Sequence, residues 1–306
     1  MLPPDRALIE CVPNFSEGRD KAVIEAIAQA IRGVEGVCLR HVDSGAGAHR
    51  TVMTFTGEAE AVCEAAFRSV RVASERIDMR LHHGAHPRLG ATDVLPLIPL
   101  RGITLSECAE LARRLAGRIA DELGIPCFLY EAASPTGKRL EQCRRGEYEG
   151  LRERMEEVDV GPHTWSESIA RTGATIVGAR PFLLAVNFNL NTPDRDIATA
   201  IARELRTSGY RGRPGLLPAV KAIGWYIPEY GIAQVSMNLC DLSLTPLHIA
   251  WQACCEAAQR YGVRVTGTEI IGLVPADQLQ LAEEAGLLEA LHLDDLAPFH
   301  AEERVI

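Results

Sequence analysis

The chain has 306 residues, a length that suggests about two domains, each large enough to bury its own core. Lys plus Arg number 32 against 41 Asp plus Glu, a net charge of −9, so a nucleic-acid partner is not expected: neutralising phosphates needs a basic face. No apolar run reaches the roughly 18 residues of a membrane helix, the first six residues lack signal-peptide architecture, and nine cysteines without a CxxC fit reduced core thiols, so the expectation is a cytoplasmic protein without a membrane partner.

In chain order, residues 7–15 read as a strand and residues 16–20 as a loop. Val23, Ile27, Ala30 and Ile31 then repeat at helical spacing, and Gly33 punctuates the end. Residues 51–56 predict a strand, and Val62, Ala66, Val70, Ala73 and Ile77 one helical face. A strand at 94–100, a helix marked by Cys108, Leu111, Leu115 and Ile119, and a short strand at 127–130 follow. Residues 134–175 are polar and without clean periodicity, which reads as a binding loop or linker. The second half starts over with a strand at 182–190, a helix marked by Ile197, Ile201 and Leu205, and a strand at 233–239. Leu247, Ala250, Trp251, Cys254 and Ala258 mark another helix, and residues 270–274 a last strand. Val12-Pro-Asn-Phe15 is echoed by Ala185-Val-Asn-Phe188, which supports a duplication. The repeated order β-α-β-(β)-α-β predicts an α+β fold of two similar ferredoxin-like (split βαβ) subdomains, 1–178 and 179–306.

The common phosphate cradles are missing: no P-loop surrounds Gly137-Lys138, and Gly45-Ala-Gly47 lacks the third glycine of a dinucleotide fingerprint. The densest chemistry is His82-His-Gly-Ala-His86-Pro-Arg88-Leu-Gly-Ala-Thr-Asp93. Gly84 and Pro87 disfavour a helix there, so a loop is expected. Such histidines suit general acid–base work, a metal or a hydrogen-bonded surface loop, although no acidic or cysteine partner stands at metal-ligand spacing. Asn187 and Asn189 alternate on one side of their strand, and Gln234, Ser236 and Asn238 on one side of theirs. These amides either read the donors and acceptors of a heterocycle or form a solvated sheet face.

Several motifs in fixed order resemble the glutamate formimidoyltransferase family, folate-dependent enzymes of histidine breakdown. They are Glu10-Cys-Val-Pro-Asn-Phe-Ser-Glu-Gly18, His49-Arg-Thr51, Ile77-Asp-Met79, the histidine loop, Gly173-Ala-Thr-Ile-Val-Gly-Ala-Arg180, Ala222-Ile-Gly-Trp-Tyr226, Ala233-Gln-Val-Ser-Met-Asn238 and Gly272-Leu-Val-Pro275. The resemblance implies transfer of the formimino group from N-formimino-L-glutamate to tetrahydrofolate as cosubstrate, without a metal. It also implies a substrate tunnel between two subdomains, a homodimer, and a stand-alone form whose product passes to a separate cyclodeaminase. It places the catalytic histidine at His86 and the folate stretch at Trp165, Ser166, Glu167, Ser168, Ile169, Ala170, Arg171, Thr172 and Gly173. Arg50, Arg88, Arg171 and Arg180 become candidate carboxylate clamps, and Asp43 and Asp93 candidate acidic partners of His86. Asn187, Asn189 and Asn238 are further possible substrate contacts. Two departures stand out: Ala85 occupies a position where the family commonly has Glu, and Asp159-Val-Gly-Pro-His163 replaces an acidic-aromatic run. The alternatives are formylglutamate formyltransferase, 5-formyltetrahydrofolate cycloligase, glycine formimidoyltransferase and a non-catalytic folate-binding protein.

Overall fold

Proline has no N–H to offer a ladder, and Pro13 divides the first predicted strand into β1 (Leu8–Cys11) and β2 (Asn14–Phe15), which keep the same two neighbours. The computed structural model describes residues 7–292 except 85, 229 and 273, so the Ala85 departure lies outside the described residues. The chain divides into two compact units, one ending at Pro181 and the other starting at Phe182.

In the first unit, α1 (Lys21–Arg32) starts where the Asp20 carboxylate accepts from the N–H groups of Ala22 and Val23. A hairpin of β3 (Val37–Gly45) and β4 (Arg50–Glu58) follows, then α2 (Ala59–Arg76), β5 (Thr92–Arg101), α3 (Leu105–Leu123) and β6 (Cys127–Glu131). The predicted linker is not one. It holds α4 (Leu140–Cys143), a 3₁₀ segment (Leu151–Glu157) and α5 (Glu167–Thr172), and ends in β7 (Thr175–Ala179), which is paired on both sides. Cys143, Leu151, Met155 and Ile169 pack with Val94, Phe128, Tyr130 and Ile176 in a second small core, while the α1, α2 and α3 stripes build the main core with Ile9, Phe55 and Leu95. The strand order is β3-β4-β1/β2-β5-β7-β6, antiparallel as far as β5 and parallel beyond it.

The second unit comprises β8 (Leu184–Leu190), α6 (Arg195–Leu205), β9 (Val220–Ile227), β10 (Ile232–Leu239), α7 (Leu247–Arg260), β11 (Val265–Ile271), α8 (Ala276–Glu284) and α9 (Leu288–His292). Its sheet runs β11-β8-β10-β9, all antiparallel. Counting β1 and β2 as one strand, in both units the first strand lies between the third and the fourth, and the second strand takes an edge. The last strand ends earlier than the sequence suggested, because the chain turns off at Gly272 with φ +86°. All nine cysteines are free thiols. Among the described residues no helix is long and apolar enough to cross a membrane.

Candidate active site

The histidine loop joins α2 to β5 and is held from two directions, by Ser16 and by the segment 171–173. Ser16 donates its N–H to the Ala91 carbonyl (2.9 Å) and its hydroxyl to that of Gly90 (2.8 Å). The Met79 N–H reaches the Arg171 carbonyl (2.8 Å), and the Ala91 N–H that of Thr172 (2.7 Å). Gly90 and Gly173 bridge where the two segments cross; a Cβ on Gly173 would lie 2.3 Å from the Leu89 carbonyl oxygen, and its φ of +66° also requires glycine. The two stretches expected to carry catalysis and folate binding, far apart in sequence, are therefore stitched together.

His86, Arg50, Arg88 and Asp93 line one cleft with Ser16, His49 and His82. Arg50, at the start of β4, points an N–H of its guanidinium at His86 Nε2, so this nitrogen accepts and the ring is neutral. Burial first, then the charges of Arg50 and Arg144, draw His86 from its ordinary value of 6.5 to about 2. Burial likewise lowers Arg50 to about 10, against the opposite pull of Asp93. Asp93 is buried, its Oδ1 accepting from the Leu89 N–H (2.8 Å) and its Oδ2 from Arg144 (2.6 Å). It holds Arg144 in place, whereas Asp43, on β3, acts on Arg50 electrostatically. Arg88 is engaged by both carboxylate oxygens of Glu149 (2.6 and 2.7 Å), by Glu147 (3.3 Å) and by the His82 carbonyl (3.2 Å), which fixes the loop. His82 Nε2 meets the His49 carbonyl (2.8 Å), the two rings lie 4.2 Å apart, and burial lowers the pKa of both.

In the 165–173 stretch, Ser166 caps α5 through the Ile169 N–H, Ile169 and Ala170 are buried, and Trp165 packs 6.5 Å from Tyr148. Glu167 pairs with Arg80 (3.4 Å), Arg171 donates to the Glu75 carbonyl, and the Thr172 hydroxyl donates to the Ser168 carbonyl (3.2 Å). Arg180 is elsewhere: its N–H bonds Leu97 further along β5 (3.2 Å), near Glu10 and Tyr130. Asn187, Asn189 and Asn238 belong to the second unit's sheet.

Glu10 is only 2% exposed, and burial pushes its carboxyl up to about 7, with Arg180 pulling the other way. Above its ordinary 4.5 the unfolded chain ionises while the folded one keeps the proton, so stability falls as pH rises from 4.5 to about 7. Glu10→Gln should remove that slope and raise unfolding stability at pH ~8 by on the order of 2–3 kcal/mol, with no gain below pH ~4.5, in urea titrations at the two pH values.

A family description of the formiminotransferase domain's N-terminal subdomain matches residues 8–180, and one of the formiminotransferase domain matches 185–287. The chain belongs to the formiminotransferase family. It is 44% identical to the glutamate formimidoyltransferase of Streptococcus pyogenes serotype M1, over 89% of this chain and 90% of that one. Its identity to the protein of that name from Thermoplasma acidophilum is 38%, over the same shares. The formimidoyltransferase-cyclodeaminase of Sus scrofa is 45% identical over 98% of this chain, which spans 59% of that relative's length.

Within this chain, sequence reasoning missed His49 and Ser16 as cleft residues and Arg144 as the partner of the cleft's Asp93. Arg144 lies in a charged run that resembles a solvated surface, and only the return of that run to Asp93 gives it a place. His49 and Ser16 stood in motifs already quoted, beside Arg50 and Phe15, which was the available signal. Among the described residues no group of three or more His, Cys, Asp or Glu side chains is arranged to hold a metal ion.

Proposed function

We propose that this formiminotransferase moves the formimino group from N-formimino-L-glutamate to tetrahydrofolate, releasing L-glutamate and 5-formiminotetrahydrofolate, and that His86 is its acid–base residue. The reading rests on a neutral imidazole whose Nε2 lone pair is held by a displaceable guanidinium. The substrate's carboxylates compete for Arg50 and Arg144, and drawing Arg50 aside frees Nε2. As the bond forms from folate N5 to the amidine carbon, His86 takes the proton that N5 sheds. It returns that proton to the glutamate nitrogen as the bond from carbon to that nitrogen breaks. A base of lowered pKa is a strong acid once charged, which favours the return. The 165–173 stretch positions folate against this loop, since alignment of the reacting atoms supplies much of the acceleration.

Each unit is read as a ferredoxin-like subdomain, on the shared strand order, with the division near 178–182. A homodimer and a downstream cyclodeaminase are the partners that go with this activity. The test is glutamate release from N-formimino-L-glutamate by the purified protein. Release should require tetrahydrofolate and exceed release from formylglutamate, and formiminoglycine should be a poorer donor. A folded protein that releases no glutamate with tetrahydrofolate present would sink the proposal.

A further inference from the structure

His49 closes the turn 46–49 between β3 and β4 with φ +50°, a left-handed conformation uncommon for a residue that carries a side chain. The loop after β2 grips this turn. Arg19 Nε donates to the Ala46 carbonyl (3.0 Å), the Gly18 N–H to His49 Nδ1 (3.1 Å), and the Thr51 hydroxyl to the Glu17 carbonyl (2.6 Å). The histidine loop reaches the same turn through His82, which is 4% exposed. Its ring Nε2 lies 2.8 Å from the His49 carbonyl oxygen. A carbonyl only accepts, so Nε2 bears the proton, while Nδ1 accepts from Arg88 Nε (3.4 Å). His49 Nδ1 also accepts, so both rings are neutral and stack without charge repulsion.

The carbonyl that His82 holds belongs to the peptide joining His49 to Arg50. A peptide is planar, so this hydrogen bond sets the plane from which Arg50 leaves the turn. Arg50 then pairs with Gly45 across the ladder and places its guanidinium on His86 Nε2. The contacts form a series within the first unit, from Glu149 through Arg88 and His82 to the 49–50 peptide, Arg50 and His86. We infer that His82 is a positioning residue for formimino transfer: by donating Nε2–H to the His49 carbonyl it holds the left-handed turn and keeps the Arg50 guanidinium on His86. The assignment rests on the reading of His86 as the acid–base residue. Without that donor the carbonyl loses its partner, His49 relaxes towards an ordinary φ, and Arg50 leaves the imidazole.

Two substitutions separate the donor from the ring. His82→Phe keeps an aromatic ring beside His49 and removes the N–H, whereas His82→Gln keeps an N–H and gives up the ring. With folding confirmed by circular dichroism, His82→Phe should lower kcat/KM for tetrahydrofolate-dependent glutamate release by roughly 10- to 100-fold, the usual cost of a displaced site group. It should also raise the ionisation of His86, read by ring-carbon NMR, above the parental value of about 2, because a cation has left Nε2. His82→Gln should keep close to the parental rate and leave His86 without an ionisation above pH ~3. In an Arg50→Gln background, His82→Phe should cost roughly 2-fold or less, since its effect passes through Arg50. A merely structural role would lower stability and leave the His86 ionisation where it is. Losses that multiply in the double variant, or a parental rate in His82→Phe beside an impaired His82→Gln, overturn the inference. If His82→Phe does not fold, His82→Gln decides alone: a near-parental rate upholds the donor role, and a folded variant whose His86 titrates near 6.5 refutes it. A parent that releases no glutamate overturns the functional reading, while the NMR comparison, which needs no turnover, still decides whether His82 holds Arg50 on His86.

Discussion

His86→Ala should lower kcat for glutamate release by roughly 10²–10⁴, the usual contribution of a positioned acid–base group, while tetrahydrofolate affinity stays at the parental level. The split follows from the geometry. His86 meets the guanidinium of Arg50, and the 165–173 stretch proposed to position folate is tied to the loop through Leu89, Gly90 and Ala91 rather than through the imidazole. The variant should also fold, because removing the ring takes away a neutral group crowded by Arg50 and Arg144 and breaks no ion pair. Truncation opens space beside Arg50 that a free imidazole can enter. Added imidazole should therefore restore part of the lost turnover in His86→Ala and do nothing for the parent. Near-parental turnover without imidazole would take His86 out of the chemistry.

What could be read in the sequence follows from how each element is buried. The α1 and α3 stripes were legible because Ile27 and Ile31, or Leu111, Leu115 and Ile119, recur on one face and are buried in the fold. Three strands were missed: β3 and β9, which lie at the edge of their sheets, and β7, which is paired on both sides but is only five residues long. In β9, Val220, Ala222 and Gly224 face the core, so the inner side offers little apolar signal, and Ile223 is 57% exposed. The histidine loop was legible because Gly84 and Pro87 mark it as a loop beside titratable side chains. Its glycines have a stricter reason than punctuation: a Cβ on Gly84 would lie 2.4 Å from the Ala48 carbonyl oxygen, and one on Gly90 2.3 Å from that of Ala174. Arg144 was out of reach, since α4 and the 3₁₀ segment flanking it are only four and seven residues long, too short for a periodic stripe.

Arg50→Gln should bring the ionisation of His86 into the measurable range and lower kcat/KM at pH ~8 by roughly 30-fold or more, the cost of losing one member of a desolvated charge contact to the substrate. In the parent, burial and the two guanidiniums hold His86 at about 2, so the ring is neutral throughout the working range and no acid limb from it falls between pH ~5 and ~8. Lowering a histidine's pKa favours the uncharged ring; the base is therefore lost only when pH drops through the lowered value. Without Arg50 one of the two cations and the N–H on Nε2 are gone, while burial and Arg144 remain. The ring should then titrate between about 2 and the ordinary 6.5, and kcat/KM should fall as pH drops through that new value. Folding stability obeys the same sign. Below pH 6.5 the unfolded chain takes up a proton that the folded parent refuses, so the parent loses stability as pH falls, and Arg50→Gln should lose less over the same interval. Ring-carbon NMR of His86 and a pH–rate profile read the two effects separately. A parent ring that titrates near 6.5, or a ring in Arg50→Gln that still shows no ionisation above pH ~3, would show that Arg50 does not govern the charge of His86.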